Sequence, residues 1–408
     1  MRHRSLRAGL LFFLAGSMAA GAQVRPEYPN VRAVTAFINV DKDHYQQQID
    51  DAAKFLNSAK AAFNQAGFGG AGGRVTTQPF PQYIQGLPRQ DALALLGRMS
   101  QVAQKDKVRL NIGPAMMNDD DSADPAALLP AALADSKVYA SLIVADEKGI
   151  HWRAVKVAAR VIHELGAATP NGNGNFDFAA GAMVKPYGPY YPVSWHNGTG
   201  LHFAVAIETA NVVNRVFRQY HDPVSAQAHL TEELSRYTKE AEVVAKKLAA
   251  DNGWTYEGID ATPAPGDRYS IGTAFESYLN APIGSYGSET AAGIITRSVQ
   301  GTPVKRAGYS GLMVPVMEDK LLAQRWAEGT FSMDSILAWS AVCAAGLDTV
   351  PLAGSTSEEQ IARILGDVSW LAAKWDKPLA IRLMPSPGKS AGQMTGFTAD
   401  GIVNTKIH

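Results

Sequence analysis

The feature that most constrains the fold of this chain is the regular alternation of short apolar runs with longer amphipathic segments. Residues 31–40 and 138–144 are apolar and contain several β-branched side chains, which is typical of buried strands. Residues 41–67 and 225–252 instead carry apolar side chains at helical spacing, and a glycine ends or follows each segment. Strands that alternate with helices in this way predict an α/β fold with a largely parallel sheet.

The same pattern extends over most of the chain. We expect strands at residues 31–40, 74–78, 108–112, 138–144 and 377–383. We expect helices at residues 41–67, 90–105, 152–165, 202–218 and 225–252, and a last helix whose capping box is formed by Thr356 and Glu359. No internal repeat or low-complexity linker divides the chain, so a single domain is predicted.

Composition narrows the class of partner. The chain has 408 residues, of which 46% are hydrophobic, and its formal net charge is zero. Nucleic acids and anionic membranes attract basic surfaces, so the balanced charge argues against either as the main partner. A small-molecule ligand is therefore the expected partner.

The amino terminus has the features of an export signal. Three arginines and a histidine precede the apolar residues 8–15, and the small residues 20–22 follow. This pattern predicts a signal peptide at residues 1–22, a mature domain at residues 23–408 and a periplasmic or secreted location. The alternative is an uncleaved membrane anchor, but the apolar core is too short to span a bilayer.

Residues 169–200 interrupt the alternation of strands and helices. They combine many Gly, Pro and Asn residues with aromatic side chains, among them Tyr191, Trp195 and His196. Long loops within compact domains are usually functional. We expect an ordered loop that forms one wall of a pocket, with these three residues contacting the ligand. The alternative is a loop that only packs on the core or on a second subunit of a homo-oligomer.

Two other segments concentrate carboxylates. Residues 308–319 and 340–352 are apolar runs that contain glycine, acidic and turn residues, as α/β enzymes have at strand ends. Glu318 and Asp348 in these segments, and Asp260 at the end of another apolar run, are therefore candidate catalytic residues. They could bind a divalent cation or act as acid and base, and the sequence leaves both open. Each could instead cap a helix, an alternative that is strongest for Asp319.

The single cysteine, Cys343, is a further catalytic candidate. A thiol mechanism needs a base that generates the thiolate, and His163, His196 and Asp348 are the candidates. The alternative is a buried cysteine that acts as a small apolar residue. Because export into an oxidising compartment disfavours an exposed reactive thiol, we expect the sulfur to be buried.

Two more residues are candidates for binding a substrate. Arg382 is a lone charge in a predicted strand, where it must be paired or must point into a polar interior, and its guanidinium suits a carboxylate or phosphate. Ser310 could donate a hydrogen bond, but the pattern of a serine hydrolase is absent. No P-loop and no G-x-G-x-x-G motif after a strand is present, so no nucleotide cofactor is expected.

Several ordered runs together resemble one family. They lie at residues 159–165, 258–263, 308–319, 340–352 and 377–388. The family is the uncharacterised bacterial and archaeal one filed as domain of unknown function seven hundred and eleven. The resemblance implies a single α/β barrel of the pyruvate formate-lyase-like, glycyl radical enzyme-like type, with strands inside and helices outside. It implies no reaction, because none is established for the family.

This chain also departs from the family pattern. Family members tend to read Cys-Gly-Thr-Gly where it has Cys343, Ala344, Ala345 and Gly346, and they usually lack an export signal. The surroundings of a radical-carrying glycine are absent near the carboxyl terminus, so a non-radical mechanism is expected. We predict an exported enzyme that acts on a small polar or anionic molecule at a site of carboxylates and Cys343 at the barrel mouth. The alternative is a non-catalytic binding protein in which residues 176–196 form an aromatic lid.

Overall fold

The structure is a computed structural model, and it describes residues 28–265, 269–343 and 346–408. The predicted signal peptide at residues 1–22 and the pair Ala344 and Ala345 lie outside the described residues. Among the described residues, no helix combines the length and the apolar character that crossing a membrane would require.

The described strands form one mixed sheet. They are β1 (Asn30–Ile38), β2 (Gly70–Thr77), β3 (Arg109–Pro114), β4 (Val138–Asp146), β5 (Gly149–Ile150), β6 (Phe178–Ala182), β7 (His202–Glu208), β8 (Thr255–Asp260), β9 (Gly346–Ala353) and β10 (Leu379–Ser386).

The helices connect these strands. They are α1 (Tyr45–Gln65), α2 (Pro81–Ile84), α3 (Arg89–Lys105), α4 (Leu129–Asp135), α5 (Trp152–Ala168), α6 (Ala210–Phe217), α7 (Pro223–Asn252), α8 (Ile271–Leu279), α9 (Ser288–Gln300), α10 (Lys320–Glu328), α11 (Met333–Ser340) and α12 (Glu358–Trp375). Short 3-10 helices lie at Pro125–Leu128 and Pro170–Phe176.

The strand order is β8-β7-β1-β2-β3-β4-β6-β10-β9, and β5 pairs with β4 at the side of this path. Strands β1, β2, β3, β4 and β6 are parallel to one another. The flanking pairs β7–β8 and β10–β9 are each internally parallel, and both run antiparallel to that central set. The α/β class with a largely parallel sheet is thus observed, whereas the hydrogen-bonded path of described strands does not form a closed barrel.

One non-helical segment lies between the two edge strands of this sheet. Arg306 forms a single bridge with Ile259 on β8, and Pro315 forms one with Asp348 on β9. Both edge strands of the path therefore contact the chain between Arg306 and Pro315.

The main hydrophobic core lies between the sheet and its helices. Alternate strand residues such as Val34, Leu110 and Ile381 point to this side, which we term the helix-facing side, and pack with helix residues such as Leu230 and Leu365. Parallel strands followed by amphipathic helices produce this layer because the helices cover the sheet with their apolar stripes.

The long helix α7 shows how capping residues set the ends of a helix. Asp222 caps its first turn, and Gly253 ends it in the left-handed conformation.

Three predicted elements need correction. Residues 202–218 are not one helix, because β7 ends at Glu208 before α6 begins at Ala210. Helix α5 continues past Gly166 to Ala168. The capping box of α12 is formed by Ser357 and Gln360, one residue later than predicted, and the side chain of Ser357 accepts from the backbone N–H of Gln360. The strands β6, β8 and β9 were not predicted as strands.

Candidate functional site

The second side of the sheet is covered by the loop at residues 183–200, and we term it the loop-facing side. Val193 packs against Gly181 of β6 so closely that a Cβ at position 181 would collide with the Val193 side chain. Small strand residues such as Ala206 and Ala380 make room for Tyr190 and Trp195 of the loop in a second, smaller hydrophobic cluster. The small side chains on these strands therefore leave the space that the loop occupies.

Polar strand residues hold the loop in place. The carbonyl of Pro189 accepts hydrogen bonds from Thr35 on β1 and from Arg74 on β2, each at 2.9 Å. The carbonyl of Pro192 accepts one from the Asn111 side chain on β3 at 2.6 Å. The expectation of an ordered loop that forms one wall of a pocket is confirmed by these contacts, because its residues Tyr190 and Tyr191 line a cavity described below.

A buried ion-pair network lies beside the loop. The Arg382 guanidinium on β10 donates to Asp348 Oδ1 at 2.7 Å and also pairs with Glu318. The same guanidinium donates to the Phe176 carbonyl at 3.2 Å and lies 4.8 Å from the Phe176 ring. One cation therefore joins two carboxylates, and the guanidinium has little remaining capacity for a ligand.

A β-bulge directs Asp348 toward Arg382. In the β9–β10 ladder Leu347 pairs with Ile381 and Val350 pairs with Leu383, so Asp348 and Thr349 together lie opposite Arg382. Thr349 has a φ of 47°, an unusual conformation for a β-branched residue. Bulges of this kind re-aim side chains and are common beside active sites.

A second bulge changes the direction of Arg32. In the β1–β7 ladder Val31 pairs with Ile207 and Ala33 pairs with Ala206, so Arg32 is the extra residue. The bulge allows Arg32 to point to the loop-facing side, where it pairs with Glu208 at 2.5 Å and lies 4.0 Å from Glu318. The two bulges thus bring together charges from β1 and from β9, two strands that lie far apart in the strand path.

These groups surround a small internal cavity of about 60 Å³, which we term the arginine cavity. Its charged lining consists of four arginines and two carboxylates: Arg32, Arg74, Arg109, Arg382, Glu318 and Asp348. Its other lining residues are Tyr139, Phe176, Tyr190, Tyr191, Ala264, Pro265, Met313 and Pro315. The cavity is large enough for a few water molecules or for one small oxyanion.

Arg74 is the least compensated charge in the cavity. Its side chain is 7% exposed, and within the described part of the chain it forms no ion pair with a carboxylate. Its guanidinium donates to the Pro189 carbonyl and lies 4.8 Å from the Tyr191 ring. Burial, with the positive charges of Arg32 and Arg109, lowers the pKa of Arg74 to about 10. The surroundings of Arg74 thus favour a nearby negative charge.

Two acids at the site have raised pKa values. Burial raises the pKa of Asp348 despite the Arg382 charge, and the Glu318 carboxylate adds to the rise. Burial also raises the pKa of Asp177 to about 6, and the charges of Arg382 and Arg109 oppose the change. Tyr139 lies near Asp177, and burial together with that carboxylate raises its pKa. An aspartate whose pKa lies near 6, such as Asp177, can transfer protons near neutral pH.

Asp260 and Ser310 do not line the arginine cavity. The Asp260 carboxylate accepts from the backbone N–H groups of Thr262, Tyr309 and Ser310 at 3.0, 2.7 and 3.2 Å. A Cβ at Gly308 would collide with this carboxylate, so the turn requires glycine. Burial raises the pKa of Asp260 to about 6, while the hydrogen bonds act to lower it. Both residues hold a turn together at a place apart from the arginine cavity, and the catalytic role of Asp260 stays a prediction.

Cys343 lies on the other side of the sheet. The residue is 1% exposed and belongs to the main hydrophobic core, because α11 ends at Ser340 before the chain reaches β9. Its sulfur lies 3.9 Å from the Ser340 hydroxyl. The expectation that the sulfur is buried is confirmed, but Cys343 does not line the arginine cavity. His163, one of its candidate bases, is near Glu358 at 3.9 Å instead.

His196 and Trp195 are also outside the arginine cavity, whereas Tyr191 lines it. Nε2 of His196 lies 3.1 Å from the Gly200 carbonyl, and its Nδ1 has no hydrogen-bond partner among the described residues. Trp195 lines a separate surface depression with Met117. Because successive loop residues point in different directions, only part of the predicted aromatic set reaches the cavity.

The carboxylates of the arginine cavity are paired with a cation of the protein itself. In the described ranges no three His, Cys, Asp or Glu side chains are grouped closely enough to hold a metal ion. Glu318 and Asp348 are instead bridged by Arg382. Asp319 is a helix cap as expected, since its carboxylate accepts from the N–H groups of Leu321 and Leu322 at 3.0 and 3.2 Å.

Among the ionisable residues outside the loop that line the cavity, four were not predicted from the sequence, namely Arg32, Arg74, Arg109 and Tyr139. A usable signal was present for two of them. Arg74 and Arg109 each alternate with apolar residues in a strand segment, as in Arg109, Leu110, Asn111 and Ile112. The argument that selected Arg382 as a lone charge in a strand applies equally to them. For Arg32 the alternation alone is misleading, because the bulge changes the side to which it points.

The chain belongs to an uncharacterised family. The model of the family described as "Uncharacterised ACR (DUF711)" matches residues 23–398, which confirms the resemblance seen in the sequence motifs. A "UPF0210 protein" of Pyrobaculum arsenaticum is 31% identical over 255 residues, covering 60% of this chain and 56% of the relative. One of Methanococcus aeolicus is 24% identical over 420 residues, covering 94% of this chain and 91% of the relative. The match to the Pyrobaculum protein thus spans little more than half of that relative's length.

A solved structure with a weak likeness is an anaerobic ribonucleotide reductase from Thermotoga maritima with MES in its active site. It has 11% sequence identity and a TM-score of 0.40, covering 86% of this chain and 74% of that chain. The same reductase with citrate in its active site gives a TM-score of 0.39 at 9% identity. Similarity at this level defines neither a closed barrel nor an activity for this chain.

Proposed function

We propose that this protein is an enzyme that binds a small anionic substrate in the arginine cavity and acts on it by non-radical acid–base chemistry. The observation that supports this most directly is Arg74, a buried guanidinium without a carboxylate partner among the described residues. A carboxylate or phosphate group is the natural partner of a guanidinium. A buried charge without such compensation is costly, and it persists where function requires it.

Arg74 and Arg109 are the binding groups in this proposal. Neither forms an ion pair with a carboxylate in the described ranges, whereas Arg32 pairs with Glu208 and Arg382 pairs with Asp348 and Glu318. Arg109 is exposed, and Tyr139 and Tyr191 lie with it around the cavity. The anion would contact both the buried Arg74 and the exposed Arg109.

Glu318 and Asp348 are the acid–base candidates. Both line the same cavity as Arg74, and they share the Arg382 guanidinium. The Glu318 carboxylate adds to the rise that burial causes in the pKa of Asp348, so the negative charge of Glu318 favours the protonated form of Asp348. Arg382 then orients the two carboxylates and does not itself bind the substrate.

The rival function is a non-catalytic binding protein with an aromatic lid. An apolar cleft without convergent ionisable groups would favour that function. The arginine cavity instead contains four arginines and two carboxylates, which favours chemistry on a charged molecule. The aromatic loop is also buried against the strands, so its contribution is to the cavity wall.

Binding is tested with inorganic phosphate and acetate as probes. We expect both to raise the melting temperature of the mature protein by mass action, and we expect Arg74→Met to abolish the increase. Arg89→Met is the matched control, because Arg89 is exposed and donates only to the Ala127 carbonyl at 3.1 Å. Equal responses of the two variants would refute anion binding at Arg74.

Catalysis needs a separate measurement. Small carboxylates and phosphate esters would be incubated with the protein, and their conversion followed by NMR. We expect Glu318→Gln to reduce turnover by about a hundredfold or more while the probes still bind. Binding without turnover of any compound in the wild-type protein would favour the rival function.

We also propose that the sheet is part of a closed barrel with strands inside and helices outside. The support is the segment from Arg306 to Pro315, which bridges to Ile259 of β8 and to Asp348 of β9. Hydrogen–deuterium exchange tests this proposal through the N–H groups of Ala307 and Val316, which donate to the Ile259 and Asp348 carbonyls. Slow exchange at both is expected, and fast exchange at either argues for an open sheet.

Export is a further proposal, as is the division into a signal peptide and one mature domain at residues 23–408. Its support is the basic and apolar pattern of residues 1–22 and the start of the family match at residue 23. Amino-terminal sequencing of protein from the periplasm or medium should give Gln23 first. Protein that retains Met1 inside the cell would contradict it.

A further inference from the structure

We propose that the substrate is an elongated oxyanion whose charged end lies in the arginine cavity and whose body lies in an adjoining outer cleft. This inference rests on the proposed binding of an anion at Arg74. The outer cleft has a volume of about 830 Å³, whereas the arginine cavity has about 60 Å³. The smaller space fits an anionic group alone, and the larger one has room for the remainder of a metabolite.

The two spaces share one boundary. Arg32, Pro265 and Glu318 line both of them. Arg32 donates to the Pro265 carbonyl at 3.3 Å and faces Glu318 at 4.0 Å. The contact with Glu318 is at the limit of an ion pair, so rotation of these two half-buried side chains would connect the cleft with the cavity.

Part of the cleft lining suits the uncharged body of a ligand, although the charged residues Glu208 and Lys320 also line the cleft. Tyr269 is 41% exposed there, and the partly buried Ile402 and Val403 add apolar surface. The acid Asp319 is already engaged, because it accepts from the Ser270 hydroxyl and from the Ile271 N–H, each at 2.7 Å. An aromatic ring and two aliphatic side chains would contact a chain or ring of a substrate, whereas the charge is recognised further in.

Arg32 has a distinct role in this arrangement. Its guanidinium pairs with Glu208 on the cleft side and approaches Glu318 at the boundary, so it lies on the path that an anion would follow inward. A guanidinium can exchange one carboxylate partner for an incoming oxyanion without losing charge compensation. We therefore assign Arg32 as a positioning residue that contacts the ligand at the junction.

Two series of probes test the proposal, so that phosphate and carboxylate ends are distinguished. The first consists of inorganic phosphate, methyl phosphate and hexyl phosphate, and the second of acetate and hexanoate. Calorimetry with the mature protein should show hexyl phosphate, hexanoate or both binding about tenfold or more tightly than the short member of the series. Equal affinities within both series would overturn the elongated-substrate inference and leave anion binding at Arg74 intact.

Substitutions separate this inference from the proposed function. Tyr269→Ala should weaken the hexyl probes about fivefold or more and leave inorganic phosphate and acetate unchanged. Arg74→Met should abolish the binding of short and long probes alike. Tyr286→Ala is the matched control, because Tyr286 is a fully exposed tyrosine that lines neither space. A Tyr269→Ala protein that binds hexyl probes as the wild type does would refute the cleft assignment.

The role of Arg32 has its own readout. Arg32→Lys keeps a positive charge, and Arg32→Gln removes it while keeping polar atoms. We expect Arg32→Gln to slow the association of hexyl phosphate about tenfold. Arg32→Lys should recover part of the association rate. The rate should also depend less on salt concentration in Arg32→Gln than in the wild type. An association rate that is the same in all three proteins would contradict a role of Arg32 on the path.

Discussion

The two sides of the central sheet differ in chemistry although they are built from the same strands. On the helix-facing side, alternate residues such as Leu110 and Ile381 join one continuous apolar core. On the loop-facing side, their neighbours Asn111 and Arg382 bond to the loop or to carboxylates. The first side supplies the stability that allows the second to keep buried charges. Substitutions on the two sides should therefore have different consequences, which the following predictions test.

The largest effect is expected from breaking the ion-pair network on the loop-facing side. Arg382→Met would leave the buried Asp348 and the half-buried Glu318 without their shared cation. We expect a loss of about 3–5 kcal/mol in the free energy of unfolding at neutral pH, measured by chemical denaturation. The loss should shrink as the pH falls, because protonation of Asp348 removes its unpaired charge.

An exposed ion pair provides the control. Arg363 pairs with Glu359 at 2.6 Å, and the two side chains are 73% and 75% exposed. Arg363→Met should change stability by no more than about 0.5 kcal/mol. A similar small effect for Arg382→Met would mean that the network is solvated and that the contrast between the two sides is wrong.

The second prediction concerns the helix-facing side. Leu365 on α12 is fully buried in the main core, and Leu365→Ala should cost about 2–5 kcal/mol of stability through lost apolar burial and the resulting cavity. The affinity for phosphate should not change at a temperature where the variant is folded. Leu201→Ala is the control, since Leu201 is 45% exposed. A large loss of anion affinity in Leu365→Ala would show that the two sides are coupled.

This difference between the sides also explains what the sequence could reveal. Helix-facing residues follow a strict period, so α1, α3, α7 and β4 were predicted close to their observed bounds. Strand β7 was read as part of a helix because its run of Phe203, Ala204, Val205, Ala206 and Ile207 is apolar on both faces. Loop-facing residues such as Ala204 are small because the loop packs against them. A pattern of neighbouring residues does not indicate that a distant loop packs there.

The site was less predictable because tertiary geometry assembles it. Glu318 and Asp348 were selected because each lies where an apolar run meets turn residues, and Arg382 because it is a lone charge in a predicted strand. Arg382 contacts both carboxylates in the structure. Cys343 was selected on similar grounds, but α11 ends so that the cysteine joins the main core. Arg32 reaches the cavity only because of a bulge, and bulges depend on the pairing of distant strands.

The third prediction is a gain of stability. Arg74→Met removes a buried guanidinium, and its acceptor, the Pro189 carbonyl, keeps the hydrogen bond from Thr35. The loss of the contact with the Tyr191 ring opposes the gain, so we expect a net increase on the order of 1 kcal/mol in the absence of added anion. Urea denaturation of Arg74→Met and wild type would measure it. A clear decrease would mean that Arg74 contributes more to holding the loop than to binding an anion.

The smallest expected effect concerns pH. Burial raises the pKa of Asp177 to about 6 in the folded protein, above the value of roughly 4 for an aspartate in an unfolded chain. The folded state therefore binds more protons between these two values, and the contribution of Asp177 to stability is complete below pH 4 and is lost as the pH rises through 6. Asp177→Asn removes this contribution, so the variant should gain on the wild type by on the order of 1 kcal/mol between pH 4 and pH 7. Denaturation curves at several pH values would show the difference.

Asp43→Asn is a suitable control, because Asp43 is 65% exposed and lies on the surface beside Lys42. Parallel pH profiles of wild type and Asp177→Asn would mean that Asp177 is fully ionised, held by the nearby charges of Arg109 and Arg382. The loop-facing side would then tolerate buried acids without any protonation, and proton transfer would have to be assigned to Glu318 and Asp348 alone.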